Sequence, residues 1–241
     1  MSGHSKWKNI MHKKAKTDSQ KAAIFTKIGR EITMAVKDGG PDPETNAKLK
    51  DIIAKAKSNN VPNENIERVI KKASSAGDES NYEAITYEGY GPKGIAVIVE
   101  TLTDNRNRTA GDVRHYFDKY GGNLGQTGSV SWQFAKKGVI VISKEDYDEE
   151  KLMEDLMEVS VEDYTAEGDV YEIYTSPDDF HSVSEGLTAL NYEFVSAQVE
   201  QVPSTYITLT EEDDIKNMQK MLDIMEENDD IQSVWHNWDE A

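Results

Sequence analysis

Lysines and arginines clustered near the start of the chain are the residues whose type and spacing most clearly predict chemistry. Residues 2–37 contain nine Lys or Arg and only two acidic residues, Asp18 and Glu31, which gives a net charge of +7. Cations repeated every few residues neutralise phosphates and release the counterions that surround a polyanion. The segment therefore predicts a site that binds a polyanion through its phosphates.

We predict that nine basic residues and one tryptophan contact nucleic acid. Eight of them lie in residues 2–37, and two arginines beside a predicted helix start form a second site. The predicted contacts are Lys6, Trp7, Lys8, Lys13, Lys14, Lys16, Lys27 and Arg30, with Arg106 and Arg108 as the second site.

Each part of this set has a structural alternative. Trp7 is also suited to packing the arm onto the first domain, and the lysines of the arm to a solvated tail. Arg106 and Arg108 are suited to binding a phosphate or a carboxylate at a helix N-terminus, or to capping and surface ion pairs. The residues alone leave these alternatives open.

The charge of the chain is divided between its two ends. Residues 1–77 hold sixteen Lys or Arg against eight Asp or Glu, a net of +8, whereas residues 78–241 hold eleven against thirty-seven, a net of −26. A shift of this size predicts a domain boundary near residues 76–81. It also predicts that the basic part contacts the polyanion and that the acidic part faces away from it.

The residues that catalysis or metal binding would require are missing or scattered. The chain of 241 residues has no cysteine and five separated histidines, so thiol chemistry and zinc sites are not expected. Gly89–Gly94 spells G-x-G-x-x-G, but a β-branched segment follows instead of a helix, so a hairpin turn is expected there. The acidic clusters lack the ligand spacing of a calcium loop. We expect no enzyme, no cofactor, no metal and no small-molecule substrate.

The hydrophobic pattern predicts no membrane segment and no secretory signal. The longest aliphatic run is Ile95–Val99, far short of the roughly 20 residues that span a bilayer. No apolar region follows the basic N-terminus. We therefore expect a cytoplasmic location.

The basic region must be positioned by helices. A first helix is predicted from Thr17, with Thr17 and Gln20 spaced as a capping box, and ends at Gly39-Gly40-Pro41. Asp42-Pro43 predicts the start of a second helix, and a third follows Val61-Pro62. Together they predict a three-helix bundle. A helix-turn-helix with Asn63, Asn65, Arg68 and Lys72 as groove readers is the alternative that we favour less.

The rest of the chain alternates short strands and helices. Strands are predicted at 82–89 and 95–102, in the alternating segment 130–134, and at 204–210 and 231–235. Residues 137–203 follow the order β-α-β-β-α-β of a ferredoxin-like plan. The predicted fold class is α+β multidomain: a basic arm and helical domain (1–77), an α+β domain (78–136 plus 204–241), and an inserted acidic ferredoxin-like domain (137–203). Three sequential domains remain the alternative.

Several strings in the chain resemble one known family. Gly3-His4-Ser5-Lys6-Trp7, Tyr87-Glu88-Gly89-Tyr90-Gly91-Pro92, the segment Thr103–Thr109 (TDNRNRT) and Gly128–Phe134 (GSVSWQF) are similar to the YebC family over essentially the full length. The resemblance implies an N-terminal helical domain and two α+β domains, one inserted in the other. It implies no catalytic residues.

The resemblance also implies a role in gene expression. The bacterial family members are described as DNA-binding transcriptional regulators, the mitochondrial relatives as translational activators, and some members as ribosome-associated factors. We therefore expect a DNA-binding transcriptional regulator. The alternative is a factor on the ribosome or a messenger RNA, whose basic domain grips RNA. A third alternative is an acidic protein–protein adaptor.

Overall fold

A computed structural model describes residues 18–75 and 81–239. Contacts between residues divide the chain into two units. One unit comprises residues 18–75, 81–130 and 210–236 of the described chain, and the other comprises residues 131–209 and 237–239. The chain thus leaves the first unit after residue 130 and returns to it at residue 210. The fold is mixed α+β, as the sequence predicts.

The first unit begins with three helices that share one hydrophobic core. They are α1 (Asp18–Gly39), α2 (Ala47–Ser58) and α3 (Asn63–Ala73). The residues buried between them are Ile28, Ile32, Ala35, Val36, Leu49, Ile52, Ala56, Val61, Ile66 and Ala73. The predicted bundle is therefore present. The predicted cap at Thr17 lies outside the described residues.

The start of the second helix was predicted wrongly. Asp42 caps a turn, in which its Oδ1 accepts a hydrogen bond from the Glu44 N–H at 3.0 Å. The helix begins at Ala47, where the Asn46 side chain accepts from the Leu49 N–H at 3.0 Å. The amide of the buried Asn46 also donates to the carbonyl oxygens of Ala35 and Gly40, each at 2.8 Å. Asn46 is the better cap because it satisfies donors and acceptors of both helix ends at once.

A four-stranded sheet with two helices completes the first unit. Its elements are β1 (Glu83–Tyr90), β2 (Ala96–Thr103), α4 (Arg106–Lys119), β3 (Asn123–Leu124), α7 (Glu212–Glu227) and β9 (Ile231–His236). The strand order is β3-β1-β2-β9, and every neighbouring pair is antiparallel. β1 and β2 form the hairpin that was predicted around Gly89–Gly94, with a 3₁₀ turn at Pro92–Gly94. The TDNRNRT segment begins at Thr103, the last residue of β2, and continues into the first turn of α4, which starts at Arg106.

The second unit has the ferredoxin-like topology. Its elements are β4 (Phe134–Ser143), α5 (Glu149–Leu156), β5 (Asp163–Glu167), β6 (Val170–Thr175), α6 (Phe180–Ala189) and β7 (Ser196–Pro203). The sheet order is β5-β6-β4-β7 with antiparallel pairs throughout. One core joins both helices to one face of the sheet through residues such as Ile140, Ile173, Leu152 and Leu187. This is the β-α-β-β-α-β plan predicted for residues 137–203.

Two predicted strands differ from the structure. Residues 130–134 do not form a half-covered strand, because Ser131–Gln133 is a 3₁₀ turn in which Trp132 is 74% exposed. The strand predicted at 204–210 is reduced to β8 (Ile207–Thr208), which pairs in parallel with β10 (Trp238–Asp239). The domain boundaries given above stay a prediction.

Candidate nucleic-acid interface

The structure describes four of the ten residues that we predicted to contact nucleic acid. Lys6, Trp7, Lys8, Lys13, Lys14 and Lys16 lie outside the described residues. Lys27 and Arg30 lie on α1, Arg106 starts α4, and Arg108 lies in its first turn. All four belong to the first unit. The structure brings Arg30 and Arg108 together and places Arg106 elsewhere.

Arg30 and Arg108 meet at one buried carboxylate, that of Asp230. Nη1 of Arg30 is 2.6 Å from Asp230 Oδ1, and Nη2 of Arg108 is 2.7 Å from Oδ2. The Asp230 side chain is only 5% exposed. Two guanidinium groups therefore share one carboxylate, a pairing that their fork of donors favours.

Two threonine hydroxyls complete the surroundings of this carboxylate. Thr109 Oγ1 donates to Asp230 Oδ2 at 2.7 Å, and Thr103 Oγ1 lies 3.2 Å from the same oxygen. The backbone N–H of Leu102 donates to the carbonyl oxygen of Asp230 at 2.8 Å. The TDNRNRT segment thus surrounds the residue that precedes β9. We call Asp230, Arg30, Arg108, Thr103 and Thr109 the Asp230 cluster.

The electrostatics of the cluster favour the ionised carboxylate. Burial alone would raise the pKa of Asp230, but hydrogen bonds from Arg30, Arg108 and Thr109 lower the pKa to about 2. The hydrogen bonds that Arg108 donates to the carboxylates of Asp230 and Asp104 raise the pKa of Arg108. The carboxylates of Asp230 and Asp104 together balance both guanidinium charges within the protein, which reduces their attraction for an external phosphate.

Arg106 has a weaker, solvated partner. Its Nη1 is 3.3 Å from Glu83 Oε1, with side chains 68% and 55% exposed. Asn105 caps α4, since its Oδ1 accepts from the Arg108 N–H at 3.1 Å. Contact of either arginine with nucleic acid stays a prediction, but their partners within the protein differ. Arg108 binds a buried carboxylate, and Arg106 forms a surface ion pair.

Lys27 is also turned to the inside of the first unit. Its Nζ donates to the carbonyl oxygen of Glu226 at 2.5 Å. Burial lowers the pKa of Lys27 to about 8, although Glu226 and Asp229 act in the opposite direction. This half-buried amine therefore helps to attach α1 to the C-terminal end of α7.

Exposed cations remain on the second and third helices. Lys57 on α2 and Arg68, Lys71 and Lys72 on α3 are exposed. The acidic residues Glu64 and Glu67 also lie on α3, so this helix has a net charge of +1. These cations can add to a phosphate-binding surface, but the helix is not a strongly basic one.

A second buried carboxylate fixes the loop that precedes the second unit. Glu88 Oε1 accepts from the Gly128 N–H at 2.8 Å, and Oε2 accepts from the Val130 N–H at 2.9 Å. The hydroxyl of Tyr90 donates to the carbonyl oxygen of Ser129 at 3.0 Å. Two of the sequence segments that carry the family resemblance, one around Glu88 and one around Gly128, are therefore joined by hydrogen bonds.

Sequence reasoning missed Asp230 and Glu88. Asp230 stands in one of the acidic clusters, residues 226–230, which lack the spacing of a calcium loop and showed no other role in the sequence. The available indication was its place immediately before the strand β9. Among residues 18–75 and 81–239, no group of three or more His, Asp or Glu is arranged to hold a metal ion.

Two family descriptions together cover nearly the whole chain. Residues 5–76 match the TACO1/YebC protein N-terminal domain, and residues 82–238 match the TACO1/YebC second and third domain. The chain belongs to the TACO1/YebC family. The two matched ranges meet in the segment where the charge changes sign.

Similar proteins that match this chain over nearly its whole length support the family assignment. A "Probable transcriptional regulatory protein" of Acetivibrio thermocellus is 61% identical over 239 residues, which cover 99% of each chain. One with the same name from Caldicellulosiruptor bescii is 57% identical over 241 residues, covering 100% of this TACO1/YebC-family chain and 99% of the relative. A crystal structure of a conserved hypothetical protein from Aquifex aeolicus has a TM-score of 0.85 and 43% identity, covering 97% and 96% of the two chains.

Proposed function

We propose that this chain is a nucleic-acid-binding regulator of gene expression that acts on DNA as a transcriptional regulator. The observation that carries the proposal is the charge division, +8 in residues 1–77 against −26 in residues 78–241. A duplex carries about one charge per 1.7 Å of its axis, so only the basic part can approach it closely. The names of the full-length relatives support transcription as the process.

We assign the phosphate contacts by asking which basic residues have an acidic partner within the protein or nearby in the sequence. Arg30 and Arg108 share Asp230, and Lys27 is half-buried against Glu226. The lysines of the arm have no acidic residue among them in residues 2–16. We therefore assign the main phosphate contacts to Lys6, Lys8, Lys13, Lys14 and Lys16, and further contacts to the exposed cations of α2 and α3.

The direct test is the affinity of the full chain for duplex DNA. Changing Lys13 and Lys14 together to Glu should weaken binding about tenfold or more at low salt, because two phosphate contacts become repulsions. A matched control changes the exposed Lys216 and Lys220 of α7 to Glu, which adds the same charge to the acidic part. Equal losses in both variants would show that net charge alone governs the binding.

A ribosome-associated translation factor is the second candidate. The same charge division favours it, because a ribosome offers both RNA phosphates and basic proteins to a chain with two signs of charge. Co-sedimentation with ribosomes distinguishes it. Pelleting of the full chain, and its loss when residues 1–16 are removed, would favour the ribosome over DNA.

We propose a cytoplasmic protein that works by binding, without catalysis and without a cofactor. No helix among the described residues is long and apolar enough to cross a membrane. Purified protein that turned over a substrate would contradict the binding role.

A further inference from the structure

The ferredoxin-like unit presents two methionine side chains to solvent from one helix. Met153 of α5 is 46% exposed, and Met157, at its C-cap, is 85% exposed. Residues four apart lie on the same face of a helix, so the two side chains form one apolar ridge. The core side of α5 is already supplied by Leu152 and Leu156, which are buried. Packing within the unit therefore does not explain the methionines.

Acidic residues surround this ridge. Residues 145–158 hold eight Asp or Glu and one base, Lys151, a net charge of −7. Glu150 and Glu154 stand three residues before Met153 and Met157, so they flank the ridge, and both are exposed. Lys151 is itself paired with Asp155 at 2.6 Å. The ridge thus has an apolar centre and a negative rim.

We propose that the methionine ridge, Met153 and Met157 with Glu150 and Glu154, docks a basic segment of a partner protein. The segment would carry an apolar side chain between Lys or Arg residues. Methionine is flexible and polarisable, which suits it to contact surfaces that adapt to a partner. Complementary charge at the rim speeds encounter and selects the partner.

Charge excludes two other occupants of this surface, nucleic acid and a second copy of the same ridge. Nucleic acid carries the same sign as the rim. A second copy docked through the same ridge would bring together two segments that each have a net charge of −7 over residues 145–158, which is repulsive. A basic protein segment is the occupant whose charge fits. This inference does not rest on nucleic-acid binding and is tested separately from it.

The experiment uses the full chain with its methionine methyl groups labelled with carbon-13. The probe is a synthetic helical peptide with leucine at every third or fourth position and lysine elsewhere. Its addition should shift the methyl resonances of Met153 and Met157 and leave those of the buried Met218 and Met221 in place. A peptide of the same composition with its leucines dispersed should give weaker shifts. Absence of a shift at Met153 and Met157 overturns the proposal.

Variants then separate the ridge from general charge attraction. Changing Met153 and Met157 together to Gln should weaken peptide binding about tenfold without loss of fold, since both are exposed. Glu150→Gln with Glu154→Gln should weaken it less and reduce its salt dependence. Ile215→Gln, at an exposed apolar residue of the first unit, is the control and should change nothing. Unchanged affinity in the Met variant, or tighter binding of a peptide of residues 2–16, overturns the assignment to a partner.

Discussion

Arg30 and Asp230 join the first described helix to the last long strand of the same unit. Arg30 Nη1 lies 2.6 Å from Asp230 Oδ1 and 2.9 Å from the carbonyl oxygen of Leu102. Its guanidinium also lies 5.2 Å from the centre of the Tyr82 ring. Arg30, which we predicted to contact nucleic acid, is therefore also part of the attachment of α1 to the sheet.

The first prediction concerns the free energy of unfolding. Asp230→Asn should destabilise the protein by about 3 kcal/mol, because it leaves two guanidinium groups and two hydroxyls around a neutral amide. Denaturant unfolding followed by circular dichroism measures this loss. Asp229→Asn removes the neighbouring, exposed carboxylate and should cost less than about 0.5 kcal/mol. Equal losses of unfolding free energy in the two variants would show that the Asp230 cluster does not stabilise the fold.

The second prediction concerns acid. The pKa of Asp230 is lowered from 3.8 to about 2. The stabilisation that its ionised carboxylate gives to the folded state is therefore complete above pH 4 and is lost as the pH falls towards 2. That loss should amount to roughly 2 kcal/mol, since a tenfold change in a proton-binding constant corresponds to about 1.4 kcal/mol. Asp230→Asn should show a correspondingly shallower fall of stability between pH 4 and pH 2. Parallel curves for the two proteins would contradict the prediction.

The third prediction separates the two arginines of the TDNRNRT segment. Arg108→Ala should cost about 1–2 kcal/mol, a value reduced by the solvent that reaches its 45% exposed side chain. Arg106→Ala breaks only an exposed pair with Glu83 and should cost less than about 0.5 kcal/mol. Thermal unfolding of both variants at the same pH makes the comparison. A larger effect at Arg106 would show that the cluster is misassigned.

The fourth prediction concerns the loop held by Glu88. Glu88→Gln should cost about 2 kcal/mol, because the amide nitrogen cannot accept from either Gly128 or Val130 and one buried N–H loses its partner. Hydrogen exchange at the amides of Gly128 and Val130 should rise with it. Glu83→Gln, on the exposed part of the same strand, is the control. Unchanged exchange at these two amides would show that the carboxylate does not hold the loop.

Local pattern was enough to predict most of the elements. Apolar residues spaced three or four apart, such as Ile28 with Ile32 and Leu49 with Ile52, mark the faces that pack in the helical core. The alternation of strands and helices after residue 137 identified the ferredoxin-like order. These features follow from periodicity, which a single sequence displays directly.

The contacts of charged side chains could not be predicted in the same way. Asp230 lies 200 residues from Arg30 in the chain, and nothing local in the sequence links them. Trp132 alternates with Val130 and Phe134 as a strand residue would, yet the turn at Ser131–Gln133 exposes it. Asn46 caps α2 in place of Asp42 because it also bonds Ala35 and Gly40, a benefit that appears only in the folded bundle.

The most direct test of the central claim is the salt dependence of duplex DNA binding by the full chain, measured by fluorescence anisotropy. If the five lysines of the arm contact phosphates, the logarithm of the association constant should fall with the logarithm of salt at a slope near −4 or steeper, about −0.9 per phosphate. Lys13→Glu with Lys14→Glu should make that slope shallower by about 2, while Arg30→Gln, in a variant shown to remain folded, should leave it unchanged. A slope near zero, or one that is unaffected by the change at Lys13 and Lys14, would contradict nucleic-acid binding through the basic arm.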